Sequence, residues 1–175
     1  DDPRHKRLRG LISQAFTPRR LRTVEANVQT TAQRVLNSVI ETSECDFVDS
    51  IAAPFPIQII CEMMGIPESQ HAFVFQKTNI ILRGADPEYG TENLTERFMA
   101  GIQAARELSE LMKDMRQQRL QQPTDDLTSA LVHAEVDGDR LSVDELGSFF
   151  VLLTAAGNET TRNAISHGIK LLCDH

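Results

Sequence analysis

Ala155-Ala156-Gly157-Asn158-Glu159-Thr160-Thr161 sits at the centre of a long periodic stretch, Ser142 to about Cys173. The stretch opens with Ser142-Val143-Asp144-Glu145, a capping box in which serine accepts from the first turn and glutamate reaches back. An apolar run from Phe149 to Leu153 follows, then the small polar centre, then Ile165, Ile169 and Leu172. One helix over this span is about 46 Å long at ~1.5 Å per residue, enough to cross a whole domain. Its centre is locally a poor helix, because Gly157 costs about 1 kcal/mol against alanine and asparagine and threonine are weak formers. On a helical wheel Phe149, Leu153, Ala156, Gly157, Thr160, Ala164 and Gly168 share a face about 120° wide. That face is bulky at its start and small in the middle, so a flat group could lie against the backbone there. The Thr160 hydroxyl is placed to bond back to the Ala156 carbonyl and to bend or open the helix. Glu159 beside Thr160 puts a carboxylate next to a hydroxyl in an otherwise apolar wall, a pairing suited to proton delivery. The competing reading of the same spacing is a buried helix whose small residues let a neighbouring helix cross closely.

Working outward, the N-terminus carries a second pattern. Asp2-Pro3 is a helix start, with aspartate as N-cap and proline at the first position. Leu8, Leu11, Ile12 and Ala15 form an apolar stripe, with His5 and Arg9 one turn apart at its edge. A histidine and an arginine at the rim of an apolar face can pair with a half-buried anion. Lys6 and Arg7 are expected to point toward solvent, and the competing reading of the whole set is a solvated basic face.

The two patterns together carry a resemblance. Small-Gly-x-acid-Thr within a long helix resembles the oxygen-activating helix of the cytochrome P-450 superfamily. Asp2-Pro3-Arg4-His5-Lys6-Arg7-Leu8-Arg9, followed by Ala15-Phe16-Thr17-Pro18-Arg19, is similar to the helix of bacterial members that crosses the proximal side of the haem. The resemblance implies an all-α fold, the central part of that architecture, with about seven or eight helices around one long one. It implies that His5 and Arg9 bond the propionates of haem b, and that Ala156 and Gly157 line the haem and the oxygen site. Leu153 and Ala156 would face substrate. Glu159 and Thr160 match the acid–alcohol pair that delivers protons during oxygen activation. The wording Asn158 to Gly168 is similar to the actinobacterial branch that hydroxylates sterols and branched lipid chains.

The resemblance also shows what these 175 residues lack. The axial cysteine of the family lies in a glycine-rich loop, and none of Cys45, Cys61 or Cys173 has that loop around it. An E-x-x-R motif after the central helix is absent. The chain is therefore expected to be an internal portion of a single domain, 1–175, from a haem-thiolate monooxygenase that hydroxylates an organic substrate with O₂. Alone it is expected to be inactive and poorly stable, with its apolar groove open. The alternative is a non-catalytic helical remnant of a truncated gene.

Composition bounds the partners. Net charge is −7, with 41% hydrophobic and 25% charged residues, which is ordinary for a soluble globular protein. Residues 1–22 hold seven basic groups against two acids, a local +5 that leaves about −12 elsewhere. Such asymmetry suggests a basic docking surface on an acidic body. By family likeness, Lys6 and Arg7 would help dock a ferredoxin-type electron donor. The acidic balance argues against a nucleic-acid binder. The three cysteines have no C-x-x-C spacing and read as reduced, buried thiols in a cytoplasmic protein without a membrane anchor. The aspartates at 137, 139 and 144 make no calcium loop, because the glycine is misplaced.

The remaining segments read as helices with breakers between them. Thr17 caps a helix to about Glu41, and 45–49 is expected as an extended link. Pro54 and Pro56 place the next regular helix after Pro56, ending at Gly65. Further helices are expected from Glu68 to about Arg83, from about Asn93 to Gln121, and from Asp125 to Glu135. Gly84 to Gly90 reads as a loop that, in the family, forms part of the lid over the substrate channel. Met63, Met64, Phe73 and Phe75 read as core.

Overall fold

The computed structural model describes residues 3–85 and 93–175, which form seven α-helices and one π-helical turn. The helices are α1 (Pro3–Ala15), α2 (Pro18–Asn37), α3 (Pro54–Met64), α4 (Glu68–Ala85), α5 (Leu94–Gln121), α6 (Leu127–His133) and α7 (Val143–Asp174). Among the described residues there is no strand, only an isolated bridge between Val136 and Asp139. The all-α expectation holds. The expected Asp2 cap and most of the expected loop, residues 86–90, lie outside the described residues.

Most helix ends follow from capping. Thr17 Oγ1 accepts from Arg20 N, Asn93 from Thr95 N, and Asp126 from Ser129 N. The capping box of α7 is complete: Glu145 N donates to Ser142 Oγ at 3.1 Å and Ser142 N to Glu145 Oε2 at 3.0 Å. Gly65 closes α3 in the left-handed conformation at φ 70°, as the glycine predicted.

Helix α6 is confined to Leu127–His133 within the expected 125–135, with Asp126 as its cap, and four further boundaries differ, each for a local reason. Helix α2 stops at Asn37 because Ser38 turns its hydroxyl onto Val35 O at 2.7 Å and the chain tightens into turns. The expected extended link is instead a π-helical turn, Val48–Ala52, nucleated by Asp46, whose carboxylate accepts from Asp49 N at 2.9 Å. Helix α3 begins at Pro54 rather than after Pro56, since both prolines fall within the first turn, where a missing N–H is harmless. Helix α4 runs through Gly84 to Ala85, two residues further than expected.

Helices α4 and α5 lie side by side, and α5 packs in turn along α7, with α3 beneath α7. Lys77 and Glu107 form an ion pair at 2.5 Å between α4 and α5. The core gathers Leu11 of α1, Ile57 and Met64 of α3, Val74 of α4, Leu108 and Met112 of α5, Leu131 of α6, and Leu146 and Phe150 of α7. Burying each of these side chains is worth about 1.5–3 kcal/mol. Met63, Phe73 and Phe75 pack against this cluster, as expected. The ends of α3, α5 and α6 meet at Asp126, which accepts from Arg119 Nε at 2.6 Å, Thr124 Oγ1 at 2.6 Å and Ser129 N at 2.7 Å. Arg119 also donates to Gly65 O at 2.9 Å.

Candidate functional site

Helix α7 has one face sunk into the protein and one left open. Leu146, Gly147, Phe150, Thr154 and Asn158 are buried. Ser148, Leu152, Ala156 and Thr160, four apart and therefore aligned along one strip, are exposed, and Leu152 is 64% exposed. The open strip is thus rotated by most of one residue's ~100° from the face expected from the wheel. Ala156 and Thr160 lie on it. Leu153 instead packs against the core, and Leu152 takes the open position. Gly157 stands at its edge, where an added Cβ would come within 3.2 Å of Ile60 Cδ1 of α3. Gly147 is tighter still, with Ser109 Cβ of α5 at 2.9 Å from such a Cβ. Close helix crossing therefore explains the glycines, while Ala156 and Thr160 face outward.

The polar pair in the centre is oriented by its own helix. Thr160 Oγ1 donates to Ala156 O at 2.8 Å, the bond anticipated from sequence, and α7 remains unbroken around it. Glu159 Oε1 accepts from Arg162 Nη2 at 2.7 Å and from Asn163 Nδ2 at 3.1 Å. Glu159 Oε2 is enclosed and has no hydrogen-bond partner. No hydrogen bond joins Glu159 to Thr160 among the described residues. Asn158, wholly buried, also leaves both of its polar atoms unpaired.

At the start of the open strip, a cleft of about 350 Å³ separates α1 from α7. Arg4, Leu8 and Ile12 line one wall, and Ser148, Phe149 and Leu152 line the other. His5 and Arg9, both exposed, occupy the adjoining strip of α1, one residue on from Arg4 and Leu8. Ser148 and Leu152 belong both to the cleft and to the open strip, on which Ala156 and Thr160 follow.

Arg7 does not point to solvent as expected. Its Nε donates to Asp139 Oδ2 at 3.0 Å, Nη1 to Glu145 Oε1 at 2.9 Å, and Nη2 to Arg140 O at 2.8 Å. Three acceptors, two just before α7 and Glu145 in its first turn, draw the guanidinium inward, and Lys6 alone of that pair stays exposed. The Ser142 N–H, and secondarily Arg7, hold the Glu145 carboxyl below the usual carboxylate range.

The donors present fit the edge and one face of a haem. Ala156 and Thr160 offer an open strip low in bulk beyond Leu152, and His5 and Arg9 supply N–H donors suited to carboxylates. They do not include a thiolate for iron. Cys61 is buried, and burial followed by the charge of Glu62 pushes its thiol up to about 12. Cys45 and Cys173 are exposed rather than buried as expected, at a loop and at the last turn of α7. Among the described residues no group of His, Cys, Asp and Glu could hold a metal ion. No helix among them is long and apolar enough to cross a membrane. His71 and His133 are spent on backbone carbonyls of Ile66 and Ser129.

The chain matches no protein-family model. It is 46% identical over 175 residues to the methyl-branched lipid omega-hydroxylase of Mycobacterium tuberculosis, an alignment covering 98% of this chain and 40% of that protein. It is 37% identical over 169 residues to the steroid C26-monooxygenase of Mycolicibacterium smegmatis, covering 97% of this chain and 38% of the relative. Among solved structures it superimposes on a Mycobacterium marinum cytochrome P450 in complex with pseudoionone, with TM-score 0.85, 40% identity, and coverage of 99% of this chain and 42% of that one. A Bacillus megaterium P450 in complex with corticosterone gives TM-score 0.88 at 28% identity, covering 98% of this chain and 45% of that one. The chain thus spans about two fifths of the length of the relatives it matches, and over that span it belongs to the cytochrome P-450 family.

Proposed function

We propose that this chain is part of a haem-thiolate monooxygenase that hydroxylates a lipophilic substrate, of the branched-lipid or sterol class, using O₂ and electrons from a redox partner. The observation that carries the reading is the open strip Leu152–Ala156–Thr160 on α7, continuous with a cleft walled by the helix that bears His5 and Arg9. Haem b, its iron bound by a cysteine outside these residues, would supply the oxygen chemistry. His5 and Arg9 would hold its propionates by charge-assisted bonds, fixing its tilt against α7. Ala156, with no side chain beyond Cβ, and Gly157 leave room beside the backbone. Leu152, and Leu153 at the strip's edge, would border the substrate and exclude water.

The proton route uses two stated atoms. Thr160 Oγ1 holds its proton against Ala156 O, and on releasing that bond it turns toward the open strip. Glu159 Oε2, enclosed and without a hydrogen-bond partner, is the oxygen that would carry the proton restored to Thr160. Arg162 and Asn163 keep the other carboxylate oxygen fixed meanwhile. An acidic ferredoxin-type donor would dock near Lys6, with Arg7 excluded from the contact by its inward bonds. The proposed setting is the cytoplasm, where the exposed thiols Cys45 and Cys173 stay reduced.

The test is a spectrum of the full-length protein that carries this chain, reduced under carbon monoxide. A thiolate-type band, with product formed from a branched lipid or sterol and lost to peroxide in Thr160→Ala, supports the proposal. A full-length protein with no haem overturns it, and favours the remnant reading.

A further inference from the structure

Helix α1 is seated in the core by Leu11 and Ala15, yet beside them it faces α7 across an open cleft, where a polar contact can also fix the gap. The polar bridge at its rim is Arg7. Its three donors meet Asp139 Oδ2, Arg140 O and Glu145 Oε1 at 3.0, 2.8 and 2.9 Å. These acceptors are themselves rigid. Asp139 closes the turn bridged to Val136, and Arg140 follows it directly. Glu145 is locked by the capping box that starts α7. Arg7 and Glu145 are covered, at 28% and 15% exposure, whereas Asp139 is 64% exposed, so water competes weakly only at the Glu145 end. Lying two residues from each of His5 and Arg9, Arg7 projects from the other side of α1.

We infer that Arg7 is a positioning residue that sets the spacing of α1 from α7, and through it the stance of His5 and Arg9 toward the open strip. This rests on the haem reading given above. Arginine suits the task because one planar group spans three acceptors, which a lysine cannot do. The role differs from the docking surface expected for this residue, since its charge is consumed within the fold.

The test uses the full-length, haem-loaded protein, with Arg7→Met, Arg7→Lys and Asp139→Asn, and reads the rate of haem transfer to excess apomyoglobin. Supporting groups one step removed from a bound centre typically alter its affinity by about 10–100-fold. Arg7→Met is therefore expected to release haem about tenfold faster, and Arg7→Lys and Asp139→Asn by intermediate factors. Asp139 is exposed, so its variant remains informative should Arg7→Met not fold. Arg119→Met, which loosens the junction of α3, α5 and α6, is the control: it should lower Tm without speeding release. Wild-type release from Arg7→Met and Asp139→Asn overturns the inference, as does equal release from Arg119→Met at equal loss of Tm. A wild-type protein that binds no haem overturns the function reading and this inference with it. Haem-loaded wild type with unaltered variants overturns this inference alone.

Discussion

Adding one methyl group at Gly65 tests how the helix ends are tied together. Gly65 has φ 70°, where an L side chain costs about 1–2 kcal/mol. The new Cβ would also fall on Asp126 Oδ2, with Asp126 Cγ at 2.6 Å and Cβ at 2.8 Å. Asp126 cannot yield cheaply, because it caps α6 through Ser129 N and receives Arg119 and Thr124. Losing a cap costs about 1 kcal/mol, and a bond to a charged group about 1.5–3 kcal/mol. With part of that set broken, Gly65→Ala should destabilise by roughly 3–5 kcal/mol, or about 3–6 °C in Tm for a full-length protein about two and a half times this length. The assay is thermal and urea unfolding of the full-length protein with Gly65→Ala, Asp126→Gly and the double variant. If the collision is the cause, Gly65→Ala in the Asp126→Gly background should cost only the backbone part, about 1–2 kcal/mol. Equal cost in both backgrounds would refute the reasoning.

Three further outcomes are expected. Gly147→Ala should destabilise more than Gly157→Ala, because its Cβ meets Ser109 Cβ at 2.9 Å and Cα at 3.2 Å, whereas Gly157 meets only the movable Ile60 Cδ1 at 3.2 Å; paired Tm values decide this. Glu145 has a depressed folded-state pKa, so its stabilising share is complete above the ordinary carboxylate value near ~4.3 and is lost as pH falls through its lower folded value. Glu145→Gln should accordingly flatten the acid limb of Tm against pH between about 4 and its folded pKa, without changing the neutral slope. Iodoacetamide should alkylate Cys45 and Cys173 in the native protein and spare Cys61 until it unfolds, read by mass spectrometry; early modification of Cys61 would contradict its burial.

The sequence carried the helices better than their orientation. Thr17-Pro18, Ser142-x-x-Glu145 and Gly65 are local signals, satisfied by atoms within a few residues, and each appears where expected. The Thr160-to-Ala156 bond was legible for the same reason. The phase of α7 was not, since Phe149 to Leu153 is apolar all the way round and only the positions of α3 and α5 decide which side is buried. That is why Leu152 rather than Leu153 reaches the open strip. Arg7 was misjudged because its acceptors lie more than 130 residues away in the chain, where no spacing rule reaches. The π-helical turn depends on Asp46 acting as a cap, a role its neighbours did not advertise.

The start of α3 has a consequence for how α7 can be supported from below. A helix brings four backbone donors that its own turns cannot satisfy. In α3 two of those positions are Pro54 and Pro56, which have no N–H, and the Ala53 N–H is given to Val48 O at 2.8 Å. Only the Phe55 donor remains to be served. A helix opened in this way needs no serine or aspartate at its tip, so Ala52, Ala53 and Pro56 can all be buried where polar caps would have to be hydrated. Pro56→Ala, although smaller and a better helix former, would introduce into that buried place a donor that then has to be served.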